Sequence, residues 1–139
     1  MIKSTTSIRV RYGETDQMGI VYHGNYPAYF ELGRIELFRE IDLPYKDLEE
    51  SGVLLPVIEL HLRYIKSAFY DDILTIETQI KEIPKGVRFR FDYKITNQNN
   101  ELLTEGYTLL AFVDKFTRKP VRCPEYMLKK LEFLLSKNE

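Results

Sequence analysis
Two spacings of apolar residues divide this chain. A period of two runs through residues 7 to 12, where Ile8, Val10 and Tyr12 alternate with Arg9 and Arg11, and predicts a first strand that ends at Gly13. The same period predicts three more strands. Over 57 to 66, Ile58, Leu60, Leu62 and Tyr64 oppose Glu59, His61 and Arg63, as in a half-buried strand. Over 74 to 81, Leu74, Ile76, Thr78 and Ile80 share a face, and over 87 to 96 Val87, Phe89, Phe91, Tyr93 and Ile95 oppose Arg88, Arg90, Asp92, Lys94 and Thr96. Residues 102 to 114 are apolar on both faces, which suits a strand covered on two sides, with Gly106 as a candidate bulge.

The second spacing, of three and four residues, belongs to helices. Tyr26, Tyr29, Phe30, Ile35, Leu37, Phe38 and Ile41 form a wide apolar face. Asn25 is a residue type that caps helix starts and Pro27 fits a first turn, so the helix should begin near residue 25 or 26. Gly33 stands mid-helix, where alanine is normally preferred, and would let a strand backbone approach closely. Asp42-Leu43-Pro44 stops the helix, Tyr45 to Ser51 suggest a short second one ended by Gly52, and Met127, Leu128, Leu131, Phe133, Leu134 and Leu135 give a C-terminal amphipathic helix.

The resulting order is strand, long helix, four strands, helix. Hairpins after one helix imply an α+β fold in which an antiparallel sheet of about five strands wraps the long central helix. Long strands on a short chain leave edges and a second face open, which edge-to-edge pairing of two copies would protect. A homodimer, and beyond it a dimer of dimers, is the expectation.

Composition narrows the function classes. With 139 residues, 44% of them hydrophobic, and no repeat or linker, the chain reads as a single domain over residues 1 to 139. No signal peptide and no membrane span is evident, which leads to the expectation of a cytoplasmic protein. A net charge of -1 argues against bulk nucleic-acid binding. Cys123 is the only cysteine, and two histidines cannot build a zinc site without carboxylates, so neither disulfide, metal nor cofactor is expected.

Candidate chemistry concentrates between the first strand and the central helix. The turn-rich run Gly13-Glu14-Thr15-Asp16-Gln17-Met18-Gly19 leads into Ile20-Val21-Tyr22-His23-Gly24-Asn25-Tyr26. Spacing alone leaves Asp16 equally a turn residue or a functional carboxylate. An aspartate, a glycine three residues on, a histidine at seven and Asn-Tyr at nine and ten jointly constrain one turn. Together with Tyr70 to Thr78, this pattern resembles the 4-hydroxybenzoyl-CoA thioesterase family of hotdog-fold acyl-CoA thioesterases, closest to the bacterial branch associated with the Tol-Pal system. The resemblance spans nearly the whole chain.

What the resemblance implies is a hotdog fold whose paired subunits share one continuous sheet, with active sites at their interface. It matches Asp16 to the family's catalytic carboxylate, acting as general base or as nucleophile. It matches His23 to the backbone oxyanion donor, with its imidazole orienting water or substrate, and Tyr12 to a tyrosine lining the same pocket. The free N–H groups of His23, Gly24, Asn25 and Tyr26 at the helix start would supply the oxyanion site. Lys85 and Arg88, with Arg118 and Lys119, lie where the family contacts the nucleotide end of CoA. The substrate implied is an acyl-CoA, with acyl carrier protein as the alternative donor.

His61 and Cys123 read as structural, and Glu31, Arg34 and Glu36 as helix-surface charges. The rival class is a non-catalytic module that holds an acyl-CoA, an acyl carrier or a protein partner in the same groove.

Overall fold
The structure, a computed structural model, describes residues 1 to 137. In chain order its elements are β1 (Ile2–Arg9), α1 (Tyr26–Glu40), α2 (Tyr45–Glu50), β2 (Val53–Leu54), β3 (Val57–Tyr64), β4 (Ile73–Ile80), β5 (Arg88–Thr96), β6 (Leu102–Ala111), β7 (Val113–Asp114) and α3 (Glu125–Lys137). Single turns of 3-10 helix cover Tyr12–Glu14 and His23–Asn25. The main sheet is antiparallel with strand order β1-β4-β5-β6-β3, and β2 and β7 form a separate two-stranded ribbon. This is the expected long helix against a five-stranded sheet.

Strict alternation produced the strands at the heart of the sheet. Leu74, Ile76, Thr78 and Ile80 of β4 and Phe89, Phe91, Tyr93 and Ile95 of β5 are buried on the face that meets α1. Phe30 of α1 stacks flat on Tyr93 at 4.1 Å, while Phe38 meets Phe89 and Phe91 edge-on at 6.2 and 5.5 Å. Tyr26, Tyr29, Phe30, Leu37 and Phe38 are all buried, and each contributes roughly 1.5–3 kcal/mol through removal of apolar surface from water.

Several boundaries differ from the sequence reading. The first strand starts five residues earlier and stops at Arg9, so Tyr12 belongs to a 3-10 turn and is 78% exposed rather than inward on a strand. The chain hides this start because the positions on the buried side include Ser4 and Thr6, and the Ser4 hydroxyl is satisfied by Glu40. Asn25 does not cap α1 through its side chain; its amide instead donates to the Glu14 carbonyl at 2.7 Å.

β3 pairs only with β6, and its residues are largely exposed, so it is an open edge rather than a half-buried strand. Gly106 sits in regular register between Tyr93 and Leu62. The register shifts fall at Ile58 and Leu103 instead, between Val57 and Glu59 and opposite the Ile95/Thr96 step. A side chain at 106 would run into the His61 carbonyl at 2.0 Å and the Phe30 ring at 3.1 Å, which explains the glycine by close packing. β6 breaks at Phe112, and its outer face is only partly covered at Glu105, Tyr107 and Leu109.

Gly33 has the same kind of cause. A Cβ there would stand 2.3 Å from the Thr78 hydroxyl oxygen and 2.9 Å from an Ile76 methyl, so the side chains of β4 fill the space. Gly33→Ala gains roughly 1 kcal/mol of helix propensity but must push apart a stiff β-branched pair. The overlap dominates: Gly33→Ala is expected to lower stability by about 1–3 kcal/mol, read as a reduced urea midpoint.

Candidate active site
Asp16 opens a tight reversal. Its N–H donates to the Ile20 carbonyl at 2.9 Å, its carbonyl accepts from Gly19 N–H at 3.0 Å, and Thr15 and Val21 bridge behind it. Gly19 takes a φ of +78°, a conformation that favours glycine. The half-buried Asp16 side chain accepts the Met18 N–H on Oδ1 at 2.8 Å, and Oδ2 has no partner among the described residues. Val21 N–H donates to the Ala68 carbonyl at 2.9 Å, which fixes the loop to the segment before β4.

The helix start is tied to the same loop through one carbonyl. Glu14 accepts from Tyr22 N–H at 2.9 Å and from the Asn25 side-chain amide at 2.7 Å. The exposed His23 and Gly24 open the 3-10 turn that leads into α1, so no earlier turn offers acceptors for their N–H groups. Among the described residues neither N–H has a hydrogen-bond partner. Tyr64, at the end of β3, donates its hydroxyl to the His23 carbonyl at 2.9 Å.

These elements enclose an open pocket of about 270 Å³ whose walls include Asp16, His23, Tyr26, Tyr64 and Lys66. Burial raises the pKa of the Tyr26 phenol, and to a lesser depth that of Tyr64, so both stay protonated hydrogen-bond donors at neutral pH. Burial, and after it the Glu14 carboxylate, raises that of Tyr29 behind the pocket. Lys66 is held at 2.7 Å by Glu101. No group of three or more His, Cys, Asp or Glu side chains among the described residues is placed to hold a metal ion.

The structure therefore brings Asp16, His23 and Tyr26 to one pocket, with Gly24 and Asn25 in the adjoining turn. Tyr12 does not line it and packs edge-on against Tyr70 at 5.8 Å. Lys85, Arg88, Arg118 and Lys119 are exposed at the opposite end of the sheet, where β5 begins and β6 ends. Within one chain that is roughly 25 Å from Asp16, at about 3.3 Å per strand residue. Lys85 pairs with Glu82 at 3.2 Å, and Arg118 occupies a turn at φ +62°.

Sequence reasoning missed Tyr64 and Glu14. Tyr64 looked like one more alternating strand residue, and nothing local marks a hydroxyl that reaches 41 residues back along the chain. Glu14 acts largely through its backbone carbonyl, which every residue has.

Comparison with known proteins follows the same lines. Residues 10–131 match the model of the thioesterase-like superfamily. YneP of Bacillus subtilis is 38% identical over 119 residues, 86% of each chain. The acyl-CoA thioester hydrolase YbgC of Shigella flexneri is 34% identical over 118 residues, 85% of this chain and 87% of that one. Among solved structures, the DHNA-CoA thioesterase of Staphylococcus aureus matches with a TM-score of 0.90 at 34% identity, over 100% of this chain and 97% of the other.

Cys123 lies outside the pocket, half-buried before α3, and burial pushes its thiol up to about 12. The unfolded thiol ionises near 8.5, so the fold favours the protonated form and loses that stability as pH rises from there towards 12. Native protein at pH 8 should react slowly with a colorimetric thiol reagent, whereas denatured protein should titrate one thiol per chain.

Proposed function
The chain belongs to the thioesterase-like superfamily, and we propose that it is an acyl-CoA thioesterase, hydrolysing an acyl-CoA to a free carboxylic acid and CoA. One observation carries this reading: a carboxylate with a free oxygen and a helix start with unpartnered N–H groups border the same pocket.

The chemistry asks for little more. The departing thiol has a pKa near the 8.5 of free cysteine, so the thiolate leaves without strong protonation. As general base, Asp16 takes a proton from water while the oxygen of that water adds to the thioester carbon. The resulting oxyanion is stabilised by the unpartnered N–H groups of His23 and Gly24 and the positive end of the α1 dipole, whereas the Asn25 N–H, also expected as a donor, is taken by the Tyr22 carbonyl at 2.9 Å. Collapse breaks the C–S bond and releases CoA. As nucleophile, Asp16 would instead add directly, expel the thiolate and leave a mixed anhydride that water then hydrolyses. The His23 imidazole, exposed at the rim, would orient water or substrate.

CoA binding calls for a second copy. β3 exposes Val57, Ile58, Leu60 and Tyr64 along an unpaired edge, and a two-fold pairing of β3 with the same strand of a partner would cover them. In such an antiparallel pair the far end of one sheet lies beside the near end of the other. The basic turns holding Lys85, Arg88, Arg118 and Lys119 of one subunit would then serve the Asp16 pocket of its neighbour, pairing with phosphate oxygens. Tyr12, exposed beside Tyr70, would line the completed pocket from its rim. The outer sheet face would allow two such dimers to associate.

The Met18 N–H on Asp16 Oδ1 is also what a purely structural turn would show, and it keeps the binding-module reading alive. The deciding experiment is thiol release from short-chain, long-chain and aryl acyl-CoAs, and from an acyl carrier protein, with wild type beside Asp16→Asn. Release that falls by at least about 100-fold in Asp16→Asn supports the reading. CoA binding without release from any donor favours the module. Leu60→Glu, placing a charge on the open edge, is expected to yield a folded monomer with little turnover, read by light scattering alongside the same assay.

A further inference from the structure
His23 lies ahead of α1, in the single 3-10 turn His23–Asn25 that leads into Tyr26. Its carbonyl stands outside the i→i+4 ladder of the helix and is held from another element: the Tyr64 hydroxyl donates to it at 2.9 Å. The same ring meets Tyr26 edge-on at 5.3 Å and His23 at 6.4 Å, so ring and hydroxyl both bear on the first turn. At 48% exposure on an edge strand, Tyr64 has a small part in the core.

We propose that Tyr64 is a positioning residue for the oxyanion donors, its hydroxyl fixing the peptide between His23 and Gly24. The peptide unit is planar, so a carbonyl held in place also holds the N–H across the same C–N bond. Without that anchor the plane can swing through ψ of His23 and φ of Gly24, and glycine offers little steric resistance to the swing. A hydrogen bond accepted by the carbonyl also polarises the peptide and strengthens its N–H as a donor. The proposal rests on the thioesterase reading and extends it to a side chain outside the Asp16–Tyr26 motif.

Tyr64→Phe removes the hydroxyl and keeps the ring. The expected result is a fall in kcat of about ten-fold, smaller than the roughly hundred-fold or greater cost of deleting an oxyanion donor itself, with KM little changed. In labelled protein the His23 carbonyl carbon and Gly24 amide nitrogen resonances should shift, with changes confined to that turn. Tyr64→Leu, which removes the ring as well, should lose at least as much activity. A Tyr64→Phe enzyme with wild-type kcat beside an impaired Tyr64→Leu would reduce Tyr64 to ring packing and overturn the proposal, as would His23 and Gly24 resonances that do not move. A wild type that releases thiol from no donor counts against the thioesterase reading instead, while the resonances still decide whether the hydroxyl holds the turn.

Discussion
α1 lies so close to β4 that a single methyl group on residue 33 would overlap Thr78 and Ile76. Contact energies fall off within a fraction of an ångström, so this approach decides whether Phe30 can stack on Tyr93 and Phe38 can reach Phe89 and Phe91. With the helix axis set, its first turn is set too. Glu14 then joins that turn to the loop of Asp16 by accepting from Tyr22 and Asn25 together. The relative placement of the carboxylate and the helix start thus descends from core packing, and only its last step is made by hydrogen bonds of the site.

Where one face of a strand is buried and the other wet, burial writes itself into the sequence as alternation, and β4 and β5 were legible for that reason. β1 was not, because its inward side carries Ser4 and Thr6, whose polarity imitates a loop. β3 shows the opposite failure. Leu62 packs against the core, yet Val57, Ile58, Leu60 and Tyr64 stay well exposed, so alternation announced more burial than a single copy provides. The bulges at Ile58 and Leu103 leave no trace either, since each is an apolar residue within an apolar run.

The candidate site divides along the same physical line. Asp16, His23 and Tyr26 lie within eleven consecutive residues, and a contiguous turn carries its geometry in its residue types. Tyr64 comes from across the sheet, and the basic turns at Lys85 and Arg118 are visible only as charges, far from the Asp16 pocket within one chain. Local chemistry was legible; partnership across the fold was not.

The hydrogen bond from Tyr64 to His23 also joins two features that are separate in sequence, the open edge and the helix start. A bond constrains both of its ends: it holds the His23 carbonyl, and equally it holds the last residue of β3 against the body of the chain. Edge strands fray at their ends because half of their backbone groups have no partner. Any element that pairs along β3 suppresses that fraying and keeps the Tyr64 hydroxyl near its acceptor for more of the time. By the reciprocity of linked equilibria, whatever an ordered strand end adds to order at the helix start, an ordered helix start adds equally to order at the strand end. In the proposed dimer paired along β3, the Tyr64 hydroxyl would therefore link order at the pocket to pairing at the edge.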